Sequence, residues 1–465
     1  MHILCNVRVN SLFKLRFTLF FVSVILMFSG TLASFAQGFR AGEGVTDITP
    51  PIGTELAGFH KPPGKERRST SVRQPASARA LVFANTTTNT FAIVSLDVCA
   101  VSQEFCRNVK DEIARTSGIE AENIRIGATH THSMPTLRYF RQWGRLPEEY
   151  RDVVAKRIVE AVELARKDLA PAQLFHGKDR VVGASHNRTS KEFKTDELFT
   201  KDSTDDERWL DTTLHALHFV REGTGRNLLW YQFSAHPVCY ADETSGPDFP
   251  GLVASKMKTQ EGLSPSFLQG HCGDVNSGTS GRGDAEVVSD AVVKSLRQAV
   301  LSARPVDVNE IRRATGTFHA PLDIELHQQQ LAQYRADPSQ CTKGPWVDAE
   351  FAREWYEVAS KWDLKQTSYA TPISALRLGD VALLFHPSEL YSVYGLTLRR
   401  DSPFRDTLVL GYVDDLIGYV PDPKAYAAGE YSAMVVPKLM SLPCYKPEVG
   451  RALTAAGLDL LRKLE

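Results

Sequence analysis

Two histidines one residue apart, His130 and His132, lie in the run Ala-Thr-His-Thr-His-Ser-Met-Pro (128–135), at the end of the apolar segment 124–129. Side chains two positions apart on an extended chain leave the same face, so both imidazoles would open into one space. Neutral imidazoles are common zinc ligands, and two at a strand end make half a site. The same pattern also describes two histidines that are merely hydrogen-bonded there. His236, in Ser-Ala-His-Pro-Val (234–238), follows another apolar run. The proline after it stops regular strand pairing and leaves the imidazole at a strand mouth; alone, such a histidine reads as structural.

Three further runs carry usable chemistry. In 267–278, Phe-Leu-Gln-Gly-His-Cys-Gly-Asp-Val-Asn-Ser-Gly, the glycines Gly270 and Gly273 allow close backbone approach and could present amides to an oxyanion; the plainer reading is a tight strand-to-helix turn. Glu389 ends a hydrophobic strand and opens a helix, whose dipole would keep the carboxylate ionised, as a ligand must be. Helix-start electrostatics alone would also place it there. Tyr419 and Tyr431 stand in Gly-Tyr-Val-Pro-Asp (418–422) and the tyrosine-rich stretch 424–431, where amphipathic packing is the ordinary explanation.

The elements that must position these residues alternate along the chain. β-branched and apolar runs at 80–84, 90–98, 124–129, 212–220, 228–235, 373–385 and 407–412 read as strands. Helical spacing marks 103–117, 151–168, 285–303, a charged stretch over 324–363, and a closing helix from about 449. Strands mixed with helices throughout predict a mixed α/β (α+β) fold, a central β-sheet packed by helices. No Pro/Gly/Ser-rich linker or internal repeat divides it, so one domain over 37–465 is expected.

The first 36 residues read as a cleavable export signal: Arg8, Lys14 and Arg16, an apolar run over 17–28, and Ser34 and Ala36 at −3 and −1 of a cleavage before Gln37. The run is short of the ~20 residues that span a bilayer; a retained anchor is the alternative. Secretion, or release into a periplasm, is the expectation. Without those three basic residues the chain holds 51 Lys and Arg against 55 Asp and Glu, a net charge of −4. That balance excludes a phosphate-neutralising nucleic-acid surface. No basic run follows the leader, which removes a polybasic membrane patch. C-x2-C spacings are absent, so no thiolate zinc cluster is indicated.

Taken in order, the blocks resemble the catalytic domain of the neutral/alkaline (non-lysosomal) ceramidases, from Gly-Val-Thr-Asp-Ile-Thr-Pro (44–50) to about Tyr431. They include Ser-Leu-Asp (95–97), Thr-His-Thr-His-Ser-x-Pro, Asn-Arg-Thr (187–189), His236-Pro, Gly-Asp-Val (273–275), Pro-x-Glu (387–389) and the tyrosine-rich tail. The resemblance implies a zinc ion held by His130, His236, Glu389 and Tyr419. It also implies His132 beside the metal, Tyr431 as an active-site tyrosine, and Arg188 on the substrate side with Gly273. Two departures stand out. The family's Gly-Asp-Val-Ser-Pro-Asn carries a catalytic serine, and here Asn276 occupies that position. Ser277 is one residue late and, in an extended stretch, points the opposite way. The family also continues into an immunoglobulin-like β-domain, which this sequence is expected to lack.

The resulting expectation is hydrolysis of a C–N amide bond by metal-activated water, with a lipid or small-molecule N-acyl amide as partner. His132 would act as acid, and Asn276 and Tyr431 would donate to the oxyanion. A peripheral membrane contact would accompany a lipid substrate. An esterase with the same metal site and an inactive binding protein that kept the fold are the competing readings. A β/α-barrel amidohydrolase fits less well, because its H-x-H stands near the start of the barrel. A Cys272 nucleophile beside His271 fails because adjacent extended residues point apart.

Overall fold

The strand Ser77–Ala84 dictates the layering. Leu81 and Phe83 join one buried cluster and Ala80 and Val82 another, so alternate residues need cover on both faces. A computed structural model describes residues 38–85, 89–223 and 226–465; the export-signal reading of 1–36 lies outside the described residues. A nine-stranded sheet runs, neighbour by neighbour, Ser266–Gln269, Leu228–Phe233, Thr213–Arg221, Ala170–Arg180, Arg40–Asp47, Ser77–Ala84, Thr90–Leu96 and Ile124–Ala128, with Arg304–Val306 pairing Ala170–Arg180 off this path. A second sheet orders Ile311–Pro321, Ser368–Leu378, Val381–Phe385 and Asp406–Leu410. Leu81, Phe83, Phe219 and Trp230 of the first sheet share one core with Leu376, Leu383, Phe385 and Leu408 of the second.

The outer faces carry the helices. Glu148–Lys167 and Ala285–Leu301 lie on the first sheet, with Gln103–Ser117 and Phe249–Glu261 packed beside them, and Ser392–Asp401 and Val449–Arg462 cover the second. The helix Glu148–Lys167 sits so close that a Cβ on Gly44 would stand 2.0 Å from Ala161 O. The mixed α/β fold expected from the alternation is therefore present, as two packed sheets flanked by helices.

Within the two large sheets three strand pairs are parallel: Thr90–Leu96 with Ile124–Ala128, Leu228–Phe233 with Ser266–Gln269, and Val381–Phe385 with Asp406–Leu410. Parallel neighbours need a crossover, supplied by the helices Gln103–Ser117, Phe249–Glu261 and Ser392–Asp401. The ends of the first sheet curl towards each other. Gln269 Nε2 donates to Thr129 O at 3.0 Å and to Ala235 O at 3.1 Å.

Two expectations are refined. The charged stretch 324–363 is two helices, Ile324–Ala336 and Ala349–Ala359, because Pro338 and Pro345 and the left-handed Gly344 interrupt it. The run 373–385 is a hairpin turning at Gly379, φ +59°. Among the described residues all six cysteines are unpaired, and no helix is long and apolar enough to cross a membrane.

Candidate metal centre

Each of the four candidate ligands follows the carboxyl end of a strand in one of the three crossover units, where open α/β sheets collect ligands. His130 lies two residues past Ile124–Ala128, in a left-handed conformation at φ +65°. His236 follows Leu228–Phe233, and Glu389 follows Val381–Phe385. Tyr419 pairs directly with Glu389 in a short parallel bridge.

The three side chains meet. His236 Nε2 lies 3.1 Å and His130 Nε2 3.4 Å from Glu389 Oε2. His130 Nδ1 donates to Cys99 O at 2.7 Å and His236 Nδ1 to Val275 O at 2.9 Å. A carbonyl can only accept, so both rings carry their proton on Nδ1 and turn Nε2 lone pairs inward. All three residues are buried.

His132 Nε2 comes within 3.2 Å of His130 Nε2. Its ring is wedged against Gly58, where a Cβ would stand 2.3 Å from His132 Cγ, and against the edge of Phe59 at 5.1 Å. Tyr419 stacks 6.4 Å from His236 and accepts a 2.5 Å hydrogen bond from Arg188 Nη2. Arg188 also donates to Gly273 O at 2.8 Å and Asn276 Oδ1 at 3.3 Å. Tyr431 stands at the rim, 43% exposed, 6.2 Å from Tyr419 and 6.1 Å from Trp143.

One carboxylate among three imidazoles sets the electrostatics of the site. Burial opposes charge on His130, but the Glu389 carboxylate overrides it and pushes His130 up to about 10. Burial would raise Glu389, yet His130 and His236 hold it well below the usual carboxylate range. Burial, with Arg188 nearby, takes His236 down to about 4; burial and the neighbouring imidazoles leave His132 neutral, well below its ordinary value. Burial keeps the Tyr419 phenol protonated despite Arg188. Without a metal, a second proton, on His130 Nε2, thus compensates the one carboxylate, and a bound ion would take its place. Two fixed imidazole lone pairs, an ionised carboxylate and an adjacent phenol form a donor set suited to a divalent zinc-like ion.

Several sequence expectations are corrected here. Gly273 does not present its amide, which donates to Leu390 O at 2.9 Å, while Gly270 N donates to Gln269 Oε1 at 2.9 Å and Phe233 O at 3.2 Å. Gly273 instead permits close packing, since a Cβ would stand 2.3 Å from Glu389 O. Glu389 lies in a two-residue strand, and the helix begins only at Ser392; its charge is held by the imidazoles. Asn276 turns its Oδ1 to Arg188 Nη1 at 3.3 Å, while its Nδ2 donates away to Gly281 O at 3.2 Å. Ser277 points away, its Oγ 3.2 Å from Cys239 Sγ. Cys272 is turned to Tyr412 Oη at 3.0 Å, and His271 to Asp211 at 3.0 Å. Sequence reasoning missed Cys99 and Tyr412, whose ring lies 4.4 Å from that of His130. Each follows a parallel strand at its carboxyl end, the position its neighbours share.

Residues 39–264 match the family model "Neutral/alkaline non-lysosomal ceramidase, N-terminal". The chain is 23% identical to the neutral ceramidase of Mycobacterium tuberculosis, over 84% of this chain and 72% of that protein. It is 24% identical to the neutral ceramidase of Pseudomonas aeruginosa, over 51% of this chain and 37% of that one. The crystal structure of the Pseudomonas aeruginosa neutral ceramidase superposes with a TM-score of 0.71 at 20% identity, covering 92% of this chain and 74% of that one. A ceramidase complexed with C2 superposes at 0.70 with 18% identity, over 92% and 75%.

Proposed function

Since the chain belongs to the neutral/alkaline non-lysosomal ceramidase family, we propose that it is an exported, zinc-dependent hydrolase of the C–N bond of an N-acyl amide, ceramide-like lipids included. The observation that carries this reading is the convergence of His130 Nε2 and His236 Nε2 on Glu389 Oε2, at 3.4 and 3.1 Å. With Tyr419 these residues would hold the ion, which when bound supplies Lewis acidity and makes water nucleophilic near neutral pH.

The remaining chemistry belongs to the chain. Cys99 O and Val275 O fix the tautomers of His130 and His236. His132, neutral and buried beside them, takes a proton from the attacking water and returns it to the departing amine. Arg188 orients Tyr419 and Asn276 together. An amide is no nucleophile, so Asn276 serves as a hydrogen-bonding wall and water itself attacks. Tyr431 at the rim meets the substrate.

The test is metal analysis combined with turnover of a panel of N-acyl amides and matched esters. Chelation should abolish turnover and zinc should restore it; His236→Ala should lose zinc and activity together. Faster esters than amides would make it an esterase. A zinc-loaded protein inert to the whole panel would support the binding-protein reading, which the replacement of the family serine by Asn276 favours.

A further inference from the structure

His130 belongs to two ligand sets. Besides the set with His236 and Glu389, the ligand atoms of Cys99, His130 and His132 all lie within 4.8 Å of one another, and all three residues are buried. The imidazoles approach through their Nε2 atoms at 3.2 Å, and the Cys99 thiol is unpaired. We infer that Cys99, His130 and His132 form a second, thiolate-containing metal position that accepts a soft ion and competes with the hydrolytic ion for His130.

The two sets differ in softness. The first offers a carboxylate oxygen and a phenol beside its imidazoles; the second offers sulfur. Thiolate selects thiophilic ions such as cadmium or cuprous copper, whereas oxygen donors do not. Binding releases the thiol proton to solvent, forms a metal–sulfur bond and changes no oxidation state. An ion there would occupy His132, assigned above as the acid–base group, and withdraw His130 from the hydrolytic set. Soft-metal occupancy is therefore an inhibited form of the enzyme. The inference rests on the proposed hydrolytic centre only through the shared His130.

The experiment titrates metal-free protein with cadmium chloride and follows sulfur-to-metal charge-transfer absorption in the ultraviolet, with bound cadmium measured in parallel. A saturating band is expected in the wild type and in His236→Ala, which keeps the thiolate set intact. The band should disappear in Cys99→Ser, a near-isosteric change whose fold is checked by circular dichroism. His132→Asn should weaken the cadmium affinity more than about tenfold. A band that survives Cys99→Ser assigns the sulfur to another cysteine and overturns the inference. Cadmium bound without a sulfur band overturns it too but leaves the hydrolytic centre standing; a wild-type protein that binds neither cadmium nor zinc overturns both.

Discussion

Arg188 is the residue on which the substrate side of the site turns. One guanidinium fork touches Tyr419 Oη, Gly273 O and Asn276 Oδ1, and each hydrogen bond from a charged donor contributes about 1.5–3 kcal/mol. Arg188→Ala should therefore lower kcat/KM by about a hundredfold while zinc content stays near one per chain. Arg188→Lys should recover little of that loss, because an ammonium cannot reproduce the planar fork. Steady-state kinetics with parallel metal analysis checks both. Zinc loss in Arg188→Ala would make the arginine a scaffold for Tyr419 as a ligand. At this scale the sequence was informative about which residues face inward: the H-x-H pair, the proline-stopped His236, and the one-residue slip that turns Ser277 away. It misjudged Gly270 and Gly273, whose amides are not free for an oxyanion because they are already engaged, Gly273 by Leu390 O, which lies 117 positions away.

At the scale of elements, three parallel crossovers deliver the site, and a glycine seam seats a further helix on the first sheet. Gly42 and Gly44 let the backbone of the helix Glu148–Lys167 rest on the strand Arg40–Asp47, a Cβ at Gly44 meeting Ala161 O at 2.0 Å and Ala165 N at 2.6 Å. Gly44→Ala must push the helix away, and such overpacking costs about 1–3 kcal/mol or more. A lower denaturant midpoint is expected, with zinc bound per folded molecule unchanged; an unaltered midpoint would mean that the helix yields freely. The strands themselves were legible from their β-branched alternation. The hairpin turn at Gly379 and the split of 324–363 were less so, because apolar spacing continues across both breaks while Gly and Pro, not periodicity, set the ends.

For the whole molecule, buried neutral histidines set the acid limit. Burial depresses His176 to about 4 and, together with His271, His386 to about 3, against about 6.5 unfolded. The unfolded chain binds these protons first, so the stability they confer is complete above pH 6.5. It is lost as pH falls through 6.5 towards 4 and 3, by about 3 kcal/mol for His176 alone. Chemical denaturation of metal-free protein at stepped pH should show that decline; a flat profile between pH 6.5 and 4 would mean that these rings are solvated on a faster timescale than unfolding.

The site also draws its donors from both sheets. His130 and His236 follow strands of the first, while Glu389 and Tyr419 pair with each other in a short two-stranded ladder that follows strands of the second. The segment most recognisable as kin, 39–264, carries only the first pair. A fragment ending there would still pass for a relative by sequence, yet it would hold half of the candidate ligand set and lack Glu389, the carboxylate that balances its histidines. The stretch that matches the family model and the full donor set thus span different lengths of this chain, and a truncation or domain exchange that keeps only 39–264 should bind no zinc, which metal analysis of that fragment checks.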